Sequence, residues 1–199
     1  MTLSNDDKEI IEYAKRFLNS RISSLNNDVK RCLIEVDDNS QRILGQLAPF
    51  PALLYCFSMI DMLAALYSGN TKGNPGEKSD NSRRYMRDCM KYNDHFTYLL
   101  QACQSPHTHS VTMEKTSHGP MMKEPKLNIY KLNTKKKKLD SMEKKLKHDG
   151  VFIIKISKLK EDIVQSVKRE HDGFLAIIRS NKVVRGNFKK AVNEILYES

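Results

Sequence analysis

The stretch FPALLYCFSMIDMLAALYSGN, residues 50–70, decides how this chain folds. Between Ala52 and Tyr67 only Ser58 and Asp61 interrupt an apolar run, and a run of that length invites a membrane span. Pro49 and Pro51 cut the uninterrupted helix to roughly 16–17 residues, which is marginal for crossing a bilayer. Asp61 near its middle adds about 2.5–3.5 kcal/mol to insertion, and neither flank is strongly basic. The stretch therefore reads as the central buried helix of a soluble body, with no membrane. The helix is expected to start near Pro51, whose fixed φ suits a first turn, and to stop at Ser68-Gly69-Asn70.

On the N-terminal side, residues 5–37 repeat apolar side chains in steps of three and four, from Ile11, Ala14 and Leu18 to Val29, Leu33 and Val36. That is the amphipathic-helix period. Ser4 or Asn5 can cap it, Asp6, Asp7 and Glu9 suit its first turn, and Asn26-Asn27 offers a break into two helices. A short helical piece is expected at 41–47. On the C-terminal side, GNTKGNPGEKSDN (69–81) holds three of the eight glycines plus Pro75 and reads as an exposed loop. Ser82 then caps a helix over 82–104, striped by Tyr85, Met86, Cys89, Phe96, Leu99, Leu100 and Cys103 and broken around Asn93-Asp94. Residues 107–125 show no period and read as irregular.

At residue 126 the pattern changes. Residues 126–132 alternate as a half-buried strand does, and 150–156 are β-branched and aromatic. The polar connector TKKKKLDSMEKKLKHD lies between them, so an antiparallel hairpin with a long tip is expected, packed on the helices or on a second subunit. Ser157 starts a helix with Ile163, Val167 and Phe174 on one side. A last helix covers 181–198, where Asn187-Phe188 with Ala191 looks like packing chemistry. The fold class is mainly α (α+β): a helical bundle over 1–118, then a hairpin and two helices over 119–199, joined in one compact unit.

The 199 residues are 29% charged and 39% apolar, which excludes collagen-like, mostly disordered and polytopic membrane classes. Four widely spaced cysteines do not make a disulfide scaffold, and MTLSNDDKEIIEY lacks the basic and apolar regions of a signal peptide. A cytoplasmic protein with reduced thiols is the expectation.

Residues 50–70, with Asp61 near the middle of an apolar helix, are followed by a helix ending in LLQACQSPHTHS (99–110). Together they resemble a branch of the HEPN superfamily, whose second helix ends in a motif of the type Arg-x-Pro-x-x-His-Ser within a broader Arg-x4–6-His signature. Gln104-Ser-Pro-His-Thr-His109-Ser110 fits the Pro, the final His and the Ser. The resemblance extends to the strand pair, the long helix and the terminal Asn187-Phe188. It implies a four-helix bundle, often a homodimer, in which Arg and His of two subunits face each other as a metal-independent ribonuclease site. A neutral His can take the proton of a 2′-hydroxyl, and a guanidinium can stabilise charge on phosphorus.

Gln104 stands where the resemblance calls for Arg, and its neutral amide removes that charge stabilisation. A non-catalytic, RNA- or nucleotide-associated protein is the favoured expectation, with a protein-interaction module as the alternative. If chemistry survives, it rests on His109, with Gln104, His107 and Asp61 as candidate companions. Asp61 has a second reading, as a carboxylate that hydrogen-bonds a neighbouring helix terminus or tyrosine. Tyr55, Tyr67, Tyr85, Tyr92 and Tyr98 read as core-edge residues with hydrated hydroxyls. Cys89, His95, Cys103, His107, His109 and His118 lie close in sequence, but without a CxxC or HExxH pair they give no metal site. No cofactor motif is present.

The formal charge of +10 is local. Residues 123–148 hold ten lysines against three acidic residues, a net +7. Lys135, Lys136, Lys137, Lys138, Lys144, Lys145 and Lys147 are the candidate nucleic-acid contacts. Such lysines bind phosphates without reading sequence. The alternative is a solvated tip whose charges protect a strand edge.

Overall fold

Ser4 Oγ accepts from the Asp7 amide at 3.1 Å and opens the first helix, α1 (Asn5–Leu33), with Asp6 and Asp7 in its first turn and Lys30 and Arg31 in its last. Both charge pairs complement the helix dipole. A computed structural model describes residues 3–33, 49–94, 96–97, 100, 111–114, 126–129 and 152–197. Within α1, Ile11, Ala14, Leu18, Ile22, Leu25 and Val29 are buried, the three-and-four spacing of one face. Each large aliphatic side chain among them stabilises by about 1.5–3 kcal/mol. That burial carries the helix straight through Asn26-Asn27, so no break forms there. The expected piece at 41–47 lies outside the described residues.

The central helix, α2 (Pro49–Ser68), begins two residues earlier than expected. By length and composition it could cross a membrane, but half of its apolar window is buried within the protein. Gly69 ends it at φ +71°, the left-handed conformation that glycine adopts without steric cost. A Cβ there would lie 3.0 Å from Asn187, whose Nδ2 donates to the Tyr67 carbonyl at 3.1 Å. Asn187 thus caps α2 from the other end of the sequence, while Phe188 and Ala191 are buried beside it.

The expected loop at 69–81 is corrected from Pro75 onward. Helix α3 (Pro75–Asp88) starts there, and Ser82 is an interior residue instead of its cap. Asn74 accepts from the Glu77 amide at 3.0 Å, and Glu77 accepts from the Asn74 amide at 3.2 Å. This capping box, with proline at the first helical position, outweighs the loop bias of the glycines. At the other end Lys91 has φ +63°, and the Tyr92 amide donates to the Met86 carbonyl at 3.1 Å. This bond, between groups six positions apart, closes the end of α3 earlier than expected. Asn93 then caps a new helical turn through the Phe96 amide at 2.8 Å.

Three four-residue strands, β1 (Val111–Glu114), β2 (Lys126–Ile129) and β3 (Phe152–Lys155), pair antiparallel in that order. Val111 is opposite Ile129, and Ile129 is opposite Phe152. β1 lies in the stretch expected to be irregular; its Val-Thr pair favours extended backbone. Residues 130–151, the expected tip, lie outside the described residues. The chain passes directly from Lys155 into α4 (Ile156–Lys168), then α5 (Phe174–Ser180) and α6 (Lys182–Tyr197). Phe174 therefore belongs to a helix of its own and not to the one begun near Ser157.

The described residues are mainly helical. α2 packs against α1, α3, α4 and α6, and α5 closes over α1, α4 and α6. At the centre, Phe174 meets Tyr67, Tyr85 and Phe188 edge-on, with ring centroids 5.7–6.4 Å apart. Tyr85 is fully buried, and its hydroxyl lies 2.8 Å from Ser166 Oγ.

Candidate anion-binding cleft

Helix α3 presents two faces with different chemistry. Tyr85, Met86 and Cys89 point into the core. Arg83, Arg84 and Arg87 lie on the other side, at the i, i+3 and i+4 spacings that bring side chains together on a helix. With Asp80, Asp94 and Thr97 they line a cleft of about 480 Å³, a volume in the small-molecule range. The guanidinium side chains are 41%, 62% and 56% exposed, so solvent-borne ligands can reach them.

Carboxylates hold these arginines in place. Asp80 pairs with Arg83 one turn away. Asp88 takes Arg87 Nε at 3.1 Å and Arg84 Nε at 3.6 Å. It also accepts from the Tyr67 hydroxyl at 3.1 Å, which ties the cluster to α2. Arg84 rests over the Tyr67 ring, 5.8 Å from its centroid. A guanidinium has five donors, and one carboxylate contact leaves most of them able to bind a second anion.

Asp61 is an exposed residue of α2, and its Oδ1 accepts from Ser82 Oγ at 2.7 Å. Ser82 is buried, so a polar group inside the α2–α3 contact is satisfied by a carboxylate at its edge. Ser82 is an interior serine of the neighbouring helix, a partner not foreseen from sequence. Gln104, His107 and His109 lie outside the described residues, as do Lys135 to Lys138, Lys144, Lys145 and Lys147. Asp61 is therefore the one sequence-derived site residue whose surroundings are described.

Other chemistry-bearing groups have structural roles. Burial pushes the Cys56 and Cys89 thiols up to about 12, so neither is a thiolate nucleophile near neutral pH. The Tyr67 hydroxyl is likewise raised to about 12, chiefly by burial and then by Asp88. Tyr92 donates to Asp162 at 2.7 Å. The hydroxyls of Tyr67, Tyr85 and Tyr92 thus meet protein partners, where the sequence suggested water. Among the described residues no three His, Cys, Asp or Glu side chains are grouped to hold a metal ion. A second groove, about 620 Å³, runs between α1 and α6 over Ile10, Tyr13, Phe188 and Val192, with the Asp6–Lys189 pair at its rim.

Sequence reasoning missed the arginine cluster. Its signal was SRRYMRD at 82–88, read only for its apolar stripe. Compared with known protein families, curated proteins and solved structures, the chain matches none.

Proposed function

We propose that this chain is a HEPN-like, RNA- or nucleotide-associated protein, a homodimer whose ribonuclease site is degenerate or absent. On this proposal a four-helix bundle carries the ligand, a β-hairpin tipped by Lys135–Lys138, Lys144, Lys145 and Lys147 adds a second basic surface, and the C-terminal helices α4–α6, three where the sequence suggested two, buttress both. The observation that carries it is the gathering of Arg83, Arg84 and Arg87 on one solvent-open cleft. Guanidinium groups bind phosphate oxygens in pairs, with geometry that lysine lacks. Gln104 in place of arginine supports association without cleavage.

Fluorescence anisotropy with a labelled single-stranded RNA tests the proposal. Affinity is expected to fall steeply between about 50 and about 200 mM salt, as counterion release requires. Replacing Lys135–Lys138 with glutamine should flatten that slope. Absence of RNA binding at the lower salt refutes the proposal.

The alternative, a protein-interaction module, draws on Leu54 and Tyr55. They are adjacent on α2 and 47% and 45% exposed. It predicts that Leu54→Ser/Tyr55→Ser alters the assembly mass in solution and leaves RNA affinity unchanged.

A further inference from the structure

The two basic features differ in charge pattern, and the difference specifies a ligand. The lysine block is nearly uniform, seven candidate lysines with Asp140 and Glu143 among them, which suits a running phosphate backbone. The α3 cleft is mixed. Three arginines line it, but so do Asp80 and Asp94, and Asp88 pairs with two of the three arginines from beside it, so positive and negative groups alternate there. A continuous polyanion laid through it would bring successive phosphates against one carboxylate or the other. One isolated phosphate meets no such penalty.

Resting on the RNA- or nucleotide-association proposed above, we infer that the α3 cleft binds the terminal phosphate monoester of a nucleotide chain. A monoester carries nearly two charges at neutral pH and three acceptor oxygens, more than an internal diester offers. Arg83 and Arg87, one helical turn apart, clamp it from one side, and Arg84 is held in place over Tyr67. The Asp94 carboxylate, which also lines the cleft, can accept from a sugar hydroxyl of the same nucleotide.

Asp80 has a specific part in this arrangement. Its carboxylate sits on the Arg83 guanidinium and occupies the place an incoming phosphate would take. It is 67% exposed and one turn away on the same helix, so it can swing aside at small cost. Asp80 is thus an internal competitor that sets the affinity. Asp88, tied to Tyr67, stays in place and positions Arg84 and Arg87.

The test uses the full chain and one eight-nucleotide RNA in three forms: 5′-phosphorylated, 3′-phosphorylated and hydroxyl at both ends. A phosphorylated form is expected to bind roughly tenfold more tightly than the hydroxyl form, the worth of a charge-assisted bidentate contact. Arg83→Gln/Arg87→Gln should abolish that preference, so that the phosphorylated and hydroxyl forms bind the variant equally. Asp80→Asn should strengthen binding of the phosphorylated form several-fold, because it removes the competitor. Equal binding of all three forms, or an unchanged preference in the arginine variant, overturns this inference while RNA association stands. Weaker binding of the phosphorylated form by Asp80→Asn overturns the role of Asp80. If no form binds at low salt, the functional proposal itself fails. All these positions are solvent-exposed, and circular dichroism checks that each variant keeps its helices.

Discussion

Arg185 Nε donates to Asp7 Oδ1 at 2.7 Å, joining the first turn of α1 to α6 across 178 residues of sequence. The arginine side chain is 6% exposed, and its Nη1 also donates to the carbonyls of Ile178 (2.9 Å) and Arg179 (3.0 Å). Those carbonyls lie in the last turn of α5 and lack intrahelical donors. One side chain therefore caps α5, pins α1 and anchors α6. Replacing Arg185 with leucine should lower stability by about 2–3 kcal/mol, the worth of charge-assisted hydrogen bonds. Urea unfolding measures it, and a loss under about 0.5 kcal/mol, typical of a surface site, would contradict this role.

The Tyr85–Ser166 contact predicts an asymmetry. Ser166 Oγ also donates to the Ile163 carbonyl at 2.7 Å, so Tyr85 is the donor between the two hydroxyls. Tyr85→Phe removes that donor and leaves Ser166 bonded, at a cost of about 0.5–1.5 kcal/mol. Ser166→Ala strands the tyrosine hydroxyl in the core and should cost more, about 1–3 kcal/mol. The double variant should be more stable than Ser166→Ala alone. A double-mutant cycle from thermal melts decides the ordering.

Gly69 should not tolerate a side chain. Alanine there must take a positive φ and press its Cβ on Asn187. Gly69→Ala should destabilise by more than about 1 kcal/mol, against the gain that Gly→Ala brings at unstrained sites. Alanine at Gly186, where a Cβ meets nothing within 4 Å, should raise stability instead. Comparison of the two melting temperatures checks both.

Stability should fall in acid. Asp7, Asp172 and Glu194 are each held below the usual carboxylate range, first by hydrogen bonds from Arg185, Lys91 and Thr71 respectively. The unfolded chain takes up their protons at higher pH than the folded one. Their contribution is therefore complete above about pH 5 and is lost as pH falls through the lowered folded values. Solvent screening keeps each effect small. Denaturation midpoints should be flat from about pH 7 to 5 and decline below about pH 4, less so in Asp7→Asn. A midpoint unchanged at about pH 3 would show that these pairs add nothing.

How much of this was legible follows from the range of each interaction. The α1 stripe, the apolar run of α2 and its stop at Gly69 depend on neighbours within one or two turns, and the sequence displays them. The start of α3 was equally local, since Asn74, Pro75 and Glu77 spell out a capping box. It was misread because glycine and proline density dominated the window. The end of α3 was harder: a lysine in the left-handed conformation gives no signal of itself. For the site, the arginines of α3 were visible, but nothing in the sequence places Asp94 and Thr97 in the same cleft.

By itself, then, the sequence determined the helices α1 and α2, their apolar faces, and that the excess positive charge belongs to one short block. Side-chain period and local capping chemistry are enough for that. Only the tertiary structure decided that Asn187 caps α2, that Arg185 meets Asp7, and that three arginines share a cleft with two carboxylates. These contacts join residues far apart along the chain. Their partners are chosen by how the apolar faces pack together, which no local pattern encodes.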